Sequence, residues 1–265
     1  MVIFFRELAR NRKSFLIWTA CLVLSNVGML ALYPTIVDQA GEYNDLVKKL
    51  PVAVLEGMGM DNLDFSRILD YFAYVFIYII LFGGVYAMLL ASSIISKEEN
   101  EKTIEFLLAK PVTRNQIVTA KSLCVLFYIV SFNLIFIVAD YITFECIKKI
   151  DYSLKTFILA HLGFLILQLT FAAIGMLISV FIVKAKSIYP ITFGVVLGTF
   201  FINIISAISD KLENLKYLTP FKYVNPSDIV KSGRIENVYI IIMCAIIVVS
   251  VALTYVFYNR KNISV

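Results

Sequence analysis

Six long apolar windows limit what this chain can fold into. Residues 14–33, 71–96, 121–144, 157–183, 188–208 and 238–258 each run for 20 residues or more with almost no charge. As helices they are long enough to cross a hydrocarbon core of ~30 Å. Lipid offers no water to backbone N–H and C=O groups, so a spanning segment must satisfy them internally. Continuous apolar runs do this as helices, whereas a barrel needs alternating segments of ~10 residues. The expected fold is an all-α integral membrane protein, a bundle of six transmembrane helices in one domain covering residues 1–265. Composition agrees: 60% of residues are hydrophobic and only 16% charged, against about 25% charged in a soluble domain. No small-residue cleavage motif follows the first window, so no cleavable leader is expected. Tyr33, Tyr71, Phe72 and Tyr74 are expected to be interface anchors.

Six spans put both termini on one side, and Lys/Arg density indicates which side. The N-terminal stretch, the 97–122 and 184–187 segments and the C-terminal tail hold 13 basic residues in 51 positions. The loops 34–70, 145–156 and 210–236 hold 11 in 76. Density therefore places both termini in the cytoplasm of a cell-membrane protein. The net charge of +5 is spread along interfaces, which argues against nucleic acid as a partner. Cys21, Cys124 and Cys244 fall in or beside spans and leave Cys146 without an obvious partner in its loop, so no disulfide is expected.

Outside the spans the chain is patterned. Ile3, Phe4 and Leu8 share one side of a helix and Arg6, Arg10 and Lys13 largely another, which suits either a helix lying in the headgroup layer or a basic flank that orients the first span. The acidic 34–70 loop carries Leu46, Val47, Leu50, Val54 and Leu55 around Pro51 and is expected to pack on the outer leaflet. Tyr217, Leu218, Pro220, Phe221, Tyr223 and Pro226 form a stretch unsuited to free solvation, able to dip into the bilayer only where protein shields its backbone. Gly83-Gly84 permits close helix approach.

Catalytic machinery is missing. There is no G-x-x-x-x-G-K-[ST] phosphate loop, so the chain is not expected to hydrolyse ATP or act as an enzyme alone. With one histidine, His161, it cannot assemble an H-E-x-x-H zinc site, and no metal site is expected. That also removes an intramembrane protease built on Glu98-Glu99. His161, near the outer end of the fourth span, reads as an interfacial or interhelical hydrogen bonder. Asp140 is the one carboxylate inside a window. Within about one turn of its span's outer end, it is expected to reach water or pair with Lys148 or Lys149. An ion-coupled transporter would keep several ionisable groups or broken helices near the midplane; this sequence does not.

The segment from Ser96 to Ile117 is dense in charge and also patterned. Ile104, Leu107 and Leu108 form an i, i+3, i+4 apolar face and Glu98 pairs with Lys102 at i, i+4, which predicts a short amphipathic helix. Pro111 ends it. Thr113 and Gln116 have capping-box spacing, and Val112 with Ile117 has that of a hydrophobic staple, so a second helix should begin at Thr113 and run into the third span. The result is an elbow projecting glutamates toward the cytoplasm, better suited to docking a partner than to joining two spans.

At these residues the sequence resembles the ABC-2-type permeases, the membrane subunits of ATP-binding-cassette exporters. The resemblance lies in Glu98 and Glu99 at the end of the second span, then Thr103, Glu105, Leu107, Leu108, Pro111, Val112, Thr113, Arg114 and Lys121; Lys102 stands where the family often has Gly. Arg6-Glu7-Leu8 through Trp18 and Tyr217-Leu218-Thr219-Pro220-Phe221 resemble the family more weakly. The resemblance implies a half-transporter in which two permease chains, identical or paralogous, pair in the bilayer and dock ATPase subunits through a cytoplasmic coupling helix between spans 2 and 3. It implies Glu98, Glu99, Thr103, Glu105, Leu108 and Arg114 as the docking residues, with ATP and Mg bound on the partner ATPase and no cofactor in this chain. Plain Phe, Tyr, Ile and Ser walls suit a hydrophobic or amphipathic cargo such as a membrane-active peptide, toxin or antibiotic. The alternative is a scaffold or immunity-type protein that binds a cytoplasmic partner and transports nothing.

Overall fold

The computed structural model describes residues 2–49, 51, 55, 59, 63–100, 112–182, 185–208 and 210–261, without the side chains of 48, 98–100, 185, 210, 211 and 213. Among them every regular element is helical. In chain order these are α1 (Val2–Leu30), α2 (Tyr33–Asp38), α3 (Ala40–Lys48), α4 (Ile68–Asn100), α5 (Arg114–Ile147), α6 (Leu154–Phe181), α7 (Ile188–Ile208), α8 (Pro220–Tyr223), α9 (Pro226–Ser232) and α10 (Asn237–Arg260), with 3-10 helices at Ala185–Ser187 and Asp210–Leu218. Six helices are long and apolar enough to cross a membrane: the first, which takes in α1, then α4, α5, α6, α7 and α10.

Burial identifies the centre of the bundle. Of α4's most apolar window 78% is buried, against 17% for those of α7 and α10. α4 packs along α6, α7, α1, α5 and α9, while α10 lies on α6 and α5. Small residues allow the close approach. A Cβ on Gly83 would stand 2.3 Å from the Phe164 ring, one on Gly84 3.1 Å from Phe171, and one on Gly175 2.9 Å from the Met88 carbonyl. Helix association in lipid lacks a hydrophobic driving force, so such contacts carry the packing.

The polarity of α1 is turned inward. Glu7, Asn11, Thr19 and Asn26 are buried against the bundle, while Leu16, Ile17 and Leu24 are exposed, an arrangement only an apolar solvent tolerates. The helix is continuous from Val2, so no separate segment turns off into the headgroup layer. Ile3, Phe4 and Leu8 pack on the core, with Phe4 6.3 Å from Phe127 of α5. Further along, Trp18 lies against Tyr86 of α4, ring centroids 5.8 Å apart.

The loops fold onto the bundle ends. Three of the four aromatics expected at the interface are core residues instead: Tyr33, Tyr71 and Phe72 are buried, because the 63–67 turn closes over Tyr33 and Tyr71 and Phe72 packs among Phe76, Phe144 and Phe157. The Tyr33 hydroxyl donates to the Ser66 carbonyl at 2.7 Å and that of Tyr71 to Met29 at 2.7 Å. Asn44 donates to Asp64 at 2.9 Å, and the Ser66 hydroxyl and amide hold the Asp64 carboxyl below its usual range. In the 34–70 loop Val47 packs on the core and Leu46 is exposed, while Leu50 and Val54 lie outside the described residues. At the same end of the bundle, α8 and α9 each begin at a proline, capped by Thr219 and Asn225. Gly233 closes α9 at φ +63°, where a Cβ would be strained. Phe221 and Tyr223 are buried, so this stretch is shielded by protein as expected, although Tyr217 and Leu218 face outward.

The glycine contacts give a paired prediction. Gly83→Ala must displace the Phe164 ring and should cost about 1–3 kcal/mol by overpacking. Gly194→Ala meets nothing within 4 Å and should be neutral or slightly stabilising. Thermal unfolding of the purified variants, read as midpoints against wild type, checks the contrast.

Candidate functional site

The elbow begins where α4 ends. Glu98 and Glu99 lie in the last turn of α4, their side chains undescribed, and Thr103, Glu105, Leu108 and the rest of 101–111 lie outside the described residues. Of the expected elbow, the start of its second helix lies within the described residues. Thr113 caps α5 as the spacing predicts: its hydroxyl accepts from the Gln116 amide at 3.2 Å, and Gln116 Oε1 accepts from the Thr113 amide at 3.0 Å. Ile117 is buried and Val112 packs on the core. The helix after the break therefore has a fixed start and a fixed roll.

The first four turns of α5 are bonded to three other helices. Arg114 Nη1 donates to the carbonyls of Tyr258, Asn259 and Lys261 at 3.2, 2.9 and 2.8 Å, satisfying the C-terminal end of α10. Beside it Asn259 donates to Asn115 at 2.6 Å, and the Thr119 and Tyr255 hydroxyls are hydrogen-bonded at 2.8 Å. Lys121, buried about two turns beyond Arg114, donates to the Ile94 carbonyl of α4 and reaches that of Ile95 at 3.5 Å. Tyr128 donates to the Leu8 carbonyl of α1. Arg114, expected to face a partner, is here engaged within the chain.

Polar contacts inside the bundle stitch the same helices. Asp140 is fully buried and reaches neither water nor Lys148 or Lys149, because α1 and α6 cover it. Asn26 of α1 donates to Asp140 Oδ1 at 2.6 Å, and His161 Nε2 lies 3.0 Å from Oδ2. His161 Nδ1 is 3.0 Å from the Phe157 carbonyl, which can only accept, so Nδ1 carries a proton. Lys148 instead pairs with Glu145 at 2.8 Å and Lys149 with Asp38 at 2.5 Å. His161 is the interhelical bonder its position suggested. A second bridge runs from Asn133 of α5 to Gln168 of α6 at 2.5 Å and on to the Gly83 carbonyl at 3.1 Å. Sequence reading missed Asn26, Asn133 and Gln168; the signal was an amide inside each apolar window.

Six long apolar helices around an inward-facing polar seam are the build of a multi-pass membrane protein. The chain matches the family described as ABC-2 family transporter protein over residues 1–263 and belongs to that family. It is a multi-pass membrane protein, the membrane subunit of an ABC transporter. No curated protein matches it.

Asp140→Ala strands two buried donors or acceptors and should destabilise the protein by about 1–3 kcal/mol. Lys149→Ala removes an exposed pair and should change stability by less than about 1 kcal/mol. Midpoints of detergent-solubilised variants measure both, and equal effects would return Asp140 to the outer-end pairing its sequence position suggested.

Proposed function

We propose that this permease subunit works as a dimer of identical or paralogous chains that exports a hydrophobic or amphipathic cargo. ATPase subunits dock on its 97–117 elbow, and ATP and Mg are bound on those partners. The observation that carries the reading is the capped, braced start of α5 directly after the acidic segment. A solvated connector has no use for a helix start fixed by Thr113, a roll set by Ile117 and ties to α1, α4 and α10.

On this reading Glu98, Glu99 and Glu105 meet basic groups of the ATPase, Leu108 fills an apolar groove, Thr103 lies between them and Arg114 stands at the base. Closure of the ATPase pair would push the elbow, and the bonds at the root of α5 would carry that push into three spans as a rigid-body movement. Such a change requires contacts that differ between two states. Both termini lie in the cytoplasm.

Reversing Glu105→Lys and truncating Leu108→Ala should each weaken capture of the ATPase, the second by removing a buried anchor of about 1–3 kcal/mol. Thr113→Ala should retain capture and lower transport, since losing an N-cap costs about 1 kcal/mol and loosens the elbow. A pull-down beside a transport or resistance assay reads all three. Full binding and transport in the first two would reduce the elbow to a connector.

Orientation has its own test. In a cysteine-free chain, Asn100→Cys and Asn259→Cys should be shielded from an impermeant thiol reagent in intact cells, while Asn44→Cys should label. The reverse pattern places the elbow outside.

A further inference from the structure

Asp140 of α5 and His161 of α6 are 0% and 3% exposed, and the docking reading gives neither a task. An ionisable pair inside a spanning bundle is costly to keep without a use. Three polar contacts define it. Asp140 Oδ1 accepts from Asn26 at 2.6 Å, Oδ2 lies 3.0 Å from His161 Nε2, and Nδ1 lies 3.0 Å from the Phe157 carbonyl. The remaining walls are rings: Phe72, Phe76 and Phe157 stand 5.6, 5.1 and 4.4 Å from the imidazole, centroid to centroid. α1 thus presents an amide, α4 two phenyl rings and α6 one, and none of these ionises. Among the described residues, His161 and Asn26 are the groups that act on the Asp140 carboxyl, and the lysines one to two turns beyond it are held by Glu145 and Asp38.

Counting protons across these contacts gives one more than an ionised aspartate and a neutral histidine possess. The Phe157 carbonyl only accepts, so Nδ1 carries a proton, and the bond made by one ring nitrogen fixes the state of the other. A neutral imidazole protonated at Nδ1 turns the lone pair of Nε2 toward Oδ2. Two lone pairs do not face each other at 3.0 Å, so a further proton lies between them. On Nε2 it gives imidazolium beside carboxylate; on Oδ2 it gives imidazole beside carboxylic acid. Both arrangements hold the same number of protons and are neutral overall. Without that proton the pair would carry a negative charge that no neighbour offsets, in surroundings where a bare charge is costly.

We propose that Asp140 and His161 form a binding site for one proton, and that this shared proton latches α6 to α5 where Asn26 brings in α1. The proton is taken from water as the bundle assembles and returns to it on unfolding. Its position between two helices makes the α5–α6 contact neutral and hydrogen-bonded at once, which neither side chain achieves alone. Neither the elbow nor the orientation of the chain enters into it, and ATPase capture is measured separately, so either reading can fail while the other stands.

His161 is the only histidine of the chain, so the full-length protein made with nitrogen-labelled histidine reports this ring alone. In nanodiscs at neutral pH, nuclear magnetic resonance should show Nδ1 protonated and Nε2 either protonated as well or accepting from an acid O–H. In the second case the infrared spectrum should contain a carboxylic-acid carbonyl stretch. Asp140→Asn keeps the bonds and removes the proton, since its amide can donate to Nε2 and accept from Asn26. In that variant the ring should be neutral, and any imidazolium or acid signature should be lost. A wild-type ring that is neutral and protonated at Nε2 alone, or bare at Nε2 beside an ionised carboxylate, overturns the proposal. So does an imidazolium that persists in Asp140→Asn. The wild-type spectra decide by themselves where the variant does not accumulate.

Discussion

The Phe164 ring of α6 occupies the space a side chain at Gly83 would need, and the bundle is arranged around that contact. Where the two backbones approach this closely, dispersion between facing atoms becomes continuous along both helices. Gln168, one turn beyond Phe164, bonds the Gly83 carbonyl itself and fixes the pair in one register. α4 and α6 form the unit against which the other spans are placed. α1 and α5 add to it through polar seams, whereas α7 and α10 leave most of their surface outward.

Those seams explain how a protein with little soluble surface still specifies one arrangement. Apolar side chains in lipid have no preferred partner, because acyl chains resemble them. A buried amide, carboxylate or ammonium does prefer one, since leaving it unpaired in hydrocarbon is costly. Asn26 with Asp140, Asn133 with Gln168, and Lys121 with the carbonyls of α4 each select a neighbour and a rotation. They sit at different depths, so together they define helix order as well as contact.

What the sequence made legible is what is local. The six spans depend on length and continuous hydropathy, and the start of α5 depends on a box of four residues from Thr113 to Gln116, so both can be read without tertiary information. Asp140 was misread because its partners lie 114 and 21 positions away, and nothing near it in the chain signals a covering helix. Tyr33, Tyr71 and Phe72 were misplaced for a related reason: an aromatic at a span end serves a membrane interface or a protein core equally well, and only the 63–67 turn over the tyrosines and the Phe144 and Phe157 rings beside Phe72 decide. The residues proposed for docking form a pattern in the sequence, and of them only Arg114 has a described side chain.

The contact between Trp18 and Tyr86 has a practical consequence. It is the only tryptophan of the chain, and it sits on the seam where α1 meets the central helix. Indole emission responds to the polarity and quenchers around it, so the protein carries an intrinsic optical gauge of that seam. A rigid-body shift that separated the two helices would alter the emission without any attached label, and one that moved them together would leave it unchanged.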